Sequence, residues 1–386
     1  MIIRTFLLSM VLSILTFLSS THDSLGQNFV NESINQGPPS NASSDEEQSP
    51  NSLQVQKISF PVSLSDGTRS LLSGFLIWDS TKFADCHKEK PFQALQKCNT
   101  SRSLKNATLQ VLVPGFTYNH TYWDPPHKKL ANYSYARFMA QQGYPVLALD
   151  PLGTGASGIP DGDVLNINQS VSSLAQVLTR VRSLPNPLGK KFSRVVLVGH
   201  SVGTAIAVVT TGTFPGIADF LVATGWSFAP HIVPLGPELI AAALANPYIR
   251  FPDTVREDLF YFTPSAKPAV IDFDNRVLAD QFSRGVLVEG LPLLEALALG
   301  DIHAIQNISR IDKVDIPVLV QLGRFDVIAP PLMPEVEARL YSSSPDVSVD
   351  ILERMGHSFN FHKNRKESWK GINEWIEERL QPRHKP

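Results

Sequence analysis

The sequence predicts an α/β fold with a mostly parallel central sheet and helices on both faces. Short, nearly continuous apolar runs alternate with segments of helical spacing, the pattern left by strands that are buried on both faces. A hairpin precedes the alternation, because Lys57–Ser63 and Arg69–Trp78 flank an Asp66-Gly67 turn. The third observation is the stretch Arg194–Gly203. It reads as a β-rich run, a tight turn and a helix start, with Gly199-His200-Ser201-Val202-Gly203 at the turn.

Taken in order, the chain opens with Arg4, the apolar run Phe6–Leu18 and then small and polar residues, the layout of a secretory signal peptide. It is assigned to residues 1–26, with cleavage after Ser20 or after Gly26, and its apolar run is short for a membrane-spanning helix. Residues 27–54 are rich in Asn, Ser, Pro, Glu and Gln, and bury too little apolar surface to fold alone, so a flexible leader is expected. The folded domain is assigned to residues 55–386. Beyond the hairpin, strands are expected at Leu109–Val113, Pro145–Leu149, Arg194–Val198, Phe220–Thr224, Ile316–Leu322 and Val347–Leu352. Helices are expected at Leu130–Gln142, Val171–Ser183, Val202–Thr211, Leu332–Tyr341 and Lys366–Leu380. The alternation stops after Gly225, and from Pro230 to about Ile305 the chain is helix-leaning and rich in Leu and Ala.

With 386 residues, 43% hydrophobic composition and a net charge of -2, the chain can bury a large core and carries no charge excess suited to nucleic acid. Asn31, Asn41, Asn99, Asn106, Asn119, Asn132, Asn168 and Asn307 each begin an Asn-x-Ser/Thr glycosylation sequon, which fits a secreted chain with no stable membrane anchor once the signal is removed. Cys86 and Cys98 form an isolated close pair, expected as a disulfide in an oxidising compartment. With only His87 as a further ligand nearby, no zinc site is expected there, and no metal or cofactor is expected elsewhere.

The elbow pentapeptide needs glycine at both ends, since strand and helix backbones pass close together where the chain reverses. It would hold Ser201 in a strained conformation with its hydroxyl exposed. A serine hydroxyl is a poor nucleophile at neutral pH and needs a base and a carboxylate to orient that base. Asp326, just past the strand ending at Leu322, and His357, just past Leu352, lie at carboxyl ends of strands, on the same sheet edge as the elbow.

These motifs, together with Pro114-Gly115-Phe116 and the stretch Asp150–Ser157 containing Gly153 and Gly155, resemble the α/β-hydrolase superfamily from about Phe60 to Leu380. The type resembled has a helical cap, here about residues 228–305, inserted before the seventh strand of an α/β-hydrolase fold. The resemblance implies catalytic Ser201, Asp326 and His357, an oxyanion hole formed by the Phe116 and Val202 amides, and a small-molecule substrate. It implies that Asp150 caps its glycine loop, although Asp150 is the alternative acid, and that His200 packs behind the nucleophile. It also implies that the apolar cap residues line an acyl or ring pocket. His231, His303 and His362 are expected mainly at the surface. Asp301, Asp312 and Asp315 precede the seventh strand, on the wrong edge, and Arg324 is read as structural, with binding of a substrate carboxylate as the alternative.

The leading expectation is a secreted serine hydrolase cleaving an ester or lactone of a mostly apolar small molecule through an acyl-enzyme. Carbon-carbon bond hydrolysis or peptidase activity on the same residues, or a non-catalytic binding role, are the alternatives. Serine at the elbow, where dehalogenases and epoxide hydrolases need aspartate, excludes those two. Pro114-Gly115 stands where many members have His-Gly, and without a triple-glycine loop bulky tertiary esters are poor candidates.

Overall fold

The computed structural model describes residues 52–83, 105, 107–126 and 130–381. The expected signal peptide, residues 27–51 of the leader, the Cys86 and Cys98 pair and the sequons at Asn31, Asn41, Asn99 and Asn106 lie outside these residues.

One eight-stranded sheet organises the described chain. Its strands are β1 (Leu53–Ser63), β2 (Arg69–Asp79), β3 (Thr108–Val113), β4 (Val146–Asp150), β5 (Arg194–His200), β6 (Phe220–Thr224), β7 (Val318–Gly323) and β8 (Val347–Leu352), in the order β1-β2-β4-β3-β5-β6-β7-β8. β2 pairs antiparallel with β1 and β4; every other pairing is parallel. The helices along the sheet are α1 (Tyr135–Gln141), α2 (Ile167–Val181) and α3 (Val202–Thr213). Between β6 and β7 come α4 (Pro237–Ala245), α5 (Asp253–Phe260), α6 (Pro268–Phe273), a π-helical turn at Asp274–Leu278, α7 (Arg284–Leu299) and α8 (Ile302–Ser309). α9 (Pro334–Leu340) and α10 (Arg365–Leu380) complete the set.

Every residue of β3, β4 and β6 is buried, whereas β1 at the edge alternates near its end and β8 at the other edge is mostly half-buried. Continuous apolar runs therefore mark the central strands, as expected of sheets covered on both faces. Val111 and Leu197 are fully buried, and truncating such side chains costs roughly 2–5 kcal/mol.

Local hydrogen bonds explain where the boundaries differ from the sequence reading. β1 reaches back to Leu53, inside the expected leader, because that residue pairs with Asp79. The helix expected over Leu130–Gln142 is instead a short 3-10 turn at Ala131–Tyr133 followed by α1. The break occurs at Ser134, whose hydroxyl caps α1 by accepting the Arg137 N–H at 3.0 Å. α2 starts at Ile167 because Asn166 caps it in the same way through Gln169. The insertion, read as helical, also holds a two-stranded antiparallel ribbon, Tyr248–Ile249 against Phe282–Ser283.

Among the described sequons, Asn132, Asn168 and Asn307 are exposed. The Asn119 amide nitrogen donates to Asp280 Oδ2 at 2.7 Å, and that of Asn168 donates to Glu289.

One buried carboxylate ties α9 to the chain leaving β6. Oε2 of the fully buried Glu337 accepts the Ser227 hydroxyl at 2.8 Å and the N–H groups of Phe228 and Ala229 at 2.6 and 2.7 Å. Burial outweighs these bonds and pushes the carboxyl up to about 7. Between the unfolded value, 4.5, and about 7 the folded chain keeps a proton that the unfolded chain has released, so this group's contribution to stability falls as pH rises through that window. Glu337→Gln should flatten this part of the pH dependence, a change on the order of 3 kcal/mol. Urea denaturation of both proteins at about pH 5 and about pH 8 measures it.

Candidate active site

Ser201 sits at the turn between β5 and α3 with φ 55 and ψ -127, a backbone conformation that side chains other than glycine rarely adopt. The Ser201 N–H donates to Thr224 O at 2.9 Å, and Thr204 Oγ1 donates to the same carbonyl at 2.9 Å, so β6 holds the turn in place. A Cβ on Gly203 would meet the carbonyl oxygens of Val113 and Pro114 at 2.4 and 2.5 Å; one on Gly199 would meet Thr204 Cα at 2.5 Å. These contacts are with backbone and leave nothing to rotate away. Gly203→Ala should therefore displace the β3 loop, cost at least about 1–3 kcal/mol and depress activity; thermal melting and ester turnover check both effects.

His357 follows β8 and Asp326 follows β7, and both are buried. His357 Nδ1 lies 2.8 Å from Asp326 Oδ2, while Asp326 Oδ1 accepts the N–H groups of Ile328 and Ala329 at 2.8 and 3.0 Å. The carboxylate is thus fixed by its own loop and accepts a hydrogen bond from Nδ1–H, which leaves Nε2 as the unprotonated nitrogen of the neutral ring. The His357 ring is flanked by Phe260 of α5 and by His200, with ring centroids 5.4 and 5.0 Å away. The Ser201 hydroxyl makes no hydrogen bond to a described residue.

His200 points behind the elbow. Its ring stacks on Tyr122 at 4.5 Å, and its Nδ1 is 3.1 Å from Thr224 Oγ1, which itself donates to Gly199 O; the imidazole is therefore the donor. Burial, and then the neighbouring His357, hold His200 well below its ordinary value, so it stays neutral.

The elbow opens into an apolar cavity of about 680 Å³, mouth included, with Ser201, Phe116, Val202, Trp226, Phe260 and Leu294 in its wall. The Val202 N–H lies in the first turn of α3, where amides have no intrahelical acceptor. Gly115 lets the β3 loop approach the serine, since a Cβ there would come within 2.7 Å of Ser201 Cβ. Phe116 stacks on Phe282 of the cap ribbon at 4.2 Å.

Asp150 lies elsewhere: its carboxylate accepts the His120 and Ala156 N–H groups at 2.8 Å and contacts His120 Nδ1 at 2.6 Å. It fixes the loop after β4. Asp301 caps α8, Asp312 pairs with Lys313, and both precede β7, as does Asp315. Arg324 is exposed and paired with Glu353.

His303 is exposed, but His231 and His362 are buried, contrary to their reading as surface residues. Each satisfies backbone groups next to the site. His362 Nε2 accepts the N–H groups of Gly356 and Phe262, both at 3.1 Å, while Nδ1 bonds Ser358 O at 2.9 Å. Burial lowers His362 to about 4, so it remains the neutral acceptor that joins the His357 loop to the cap. His231 Nδ1 bonds Ala229 O at 2.7 Å.

Sequence reasoning missed a second cluster. Arg256 of α5 and Asp274 of the π-helical turn form a fully buried ion pair at 2.7 Å, with Tyr118 and Tyr261 hydroxyls donating to Asp274 Oδ2 at 2.8 and 2.7 Å. Among the described residues no group of three or more His, Cys, Asp or Glu side chains could hold a metal ion.

The sheet order, the strained serine between a strand and a helix, and the histidine-carboxylate pair on the same edge define a hydrolase-type α/β protein. The model for the alpha/beta hydrolase family matches residues 110–367, more than half of the chain, and the chain belongs to that family. A search of curated proteins finds no match. Solved structures with a similar fold include a thermophilic esterase from Thermogutta terrifontis, 17% identical, covering 84% of this chain and 100% of that one at a TM-score of 0.50. A monoacylglycerol lipase from Paleococcus ferrophilus is 18% identical, covering 69% of this chain and 93% of that one at a TM-score of 0.49. At these identities the likeness extends to the fold alone.

Proposed function

We propose that the chain is a secreted serine hydrolase that cleaves an ester or lactone of a mostly apolar small molecule through an acyl-enzyme. The observation that carries this reading is the His357-Asp326 pair packed against the elbow, at the wall of an apolar cavity that contains Ser201. Ser201 Oγ attacks the carbonyl carbon while His357 Nε2 takes its proton. Asp326 orients the ring and stabilises the imidazolium. The carbonyl oxygen gains its negative charge between the Phe116 and Val202 amides, each worth about 3 kcal/mol in the transition state. His357 then protonates the leaving alkoxide, and water repeats the sequence on the acyl-enzyme.

The cavity wall supports an apolar substrate, since among the described residues no carboxylate lines it to receive the free amine of a peptide. The leader sequence and the sequons support passage through a secretory compartment. A panel of p-nitrophenyl esters of increasing chain length beside a lactone set tests the reading. Asp326→Asn should lower kcat on the best ester by as much as about 10⁴-fold with the fold intact. Asp150→Asn should alter the melting temperature more than kcat. Comparable kcat losses in both folded variants would remove Asp326 from its assigned role.

A further inference from the structure

The buried cluster in the cap converges on the two loops that carry the oxyanion donor and the base. Thr117, directly after Phe116, has φ 61, an unfavourable conformation for a β-branched residue. Arg256 Nη1 donates to its Oγ1 and, at 3.3 Å, to its carbonyl, which also accepts the Asp280 N–H at 2.8 Å. The next residue, Tyr118, donates its hydroxyl to Asp274 Oδ2 at 2.8 Å, and Ser358, directly after His357, lies 2.8 Å from the same phenol oxygen. Because the phenol proton is committed to the carboxylate, the Ser358 hydroxyl is the donor to Tyr118. Burial and then the Asp274 charge hold the Tyr118 phenol well above its ordinary value, so it remains a donor. The Ser358 N–H is bonded to Phe260 O of α5 at 2.8 Å.

A fully buried charge pair is weak as a source of stability, because desolvation cancels much of its attraction. Here two bonds of the cluster reach residues next to the proposed reacting groups, Arg256 to Thr117 and Ser358 to Tyr118, while Arg256 Nε holds the π-helical turn through Asn275 Oδ1 at 3.0 Å. We propose that Arg256 and Asp274 are positioning residues for acyl transfer, which set the Phe116 amide through Thr117 and the His357 imidazole through Tyr118 and Ser358. The proposal rests on the serine hydrolase reading and adds a demand to it. The cap becomes part of the catalytic frame as well as the pocket wall.

Tyr118→Phe removes one hydroxyl and keeps the ring that packs on Tyr122 and Phe260. On one fast ester its kcat should fall by about 10²-fold with KM nearly unchanged, the order that a misplacement of about 1 Å costs. Ser358→Ala should show a smaller loss of the same kind. The double variant should lose little more than Tyr118→Phe alone, since both act through one chain of bonds. Arg256→Lys, which keeps the charge without the fork, should recover part of the activity lost in Arg256→Met. The ring-proton NMR signals of His357 should shift in folded Tyr118→Phe. Unchanged kcat in folded Tyr118→Phe, or a rise in KM alone, overturns the proposal. If the wild type hydrolyses no ester, it is the serine hydrolase reading that fails. The His357 signals then decide positioning by themselves, and identical signals in wild type and Tyr118→Phe reject it.

Discussion

The backbone of Ser201 is the constraint on which the rest of the site depends. A non-glycine residue at positive φ costs roughly 1–3 kcal/mol and persists only where its surroundings over-determine it. Here β6 supplies the acceptor for Ser201 N–H, Thr204 reaches the same carbonyl, and Gly203 lies against the Val113 and Pro114 carbonyls. A looser sheet would let the turn relax and withdraw the hydroxyl from the cavity. The parallel sheet therefore matters to the chemistry through its rigidity at one edge, where β5, β7 and β8 all end.

Around that edge the titratable groups are held in distinct states by distinct means. Asp326 takes three hydrogen bonds, two from its own loop and one with His357. His200 and His362 are kept neutral by burial, each committed to a local partner. Arg256 keeps its charge, with Asp274 offsetting the cost of burial.

The sheet, the order of its strands' motifs, and the placement of Ser201, Asp326 and His357 were legible in the sequence because each is a local signal: an apolar run, a glycine-bounded turn, a residue just past a strand. Helix starts were less legible, since Ser134 and Asn166 act through caps that a period count does not register. The Arg256 and Asp274 cluster was invisible for a different reason. Its members come from α5, the π-helical turn, the β3 loop and the loop after β8, and no spacing connects them. Glu337 was hidden similarly, since a glutamate in Pro334-Glu335-Val336-Glu337 reads as an exposed helical charge until the chain after β6 folds over it. His231 and His362, read as surface residues, are buried because irregular backbone beside the site needs their ring nitrogens.

The central claim is that a covalent bond forms at Ser201 with His357 as base, and mass spectrometry after exposure to a fluorophosphonate tests it most directly. One adduct per chain is expected, on the peptide that contains Ser201, with labelling abolished in Ser201→Ala and slowed at least about 10²-fold in His357→Ala. An adduct of equal yield in Ser201→Ala, or one that maps to any other residue, would contradict it.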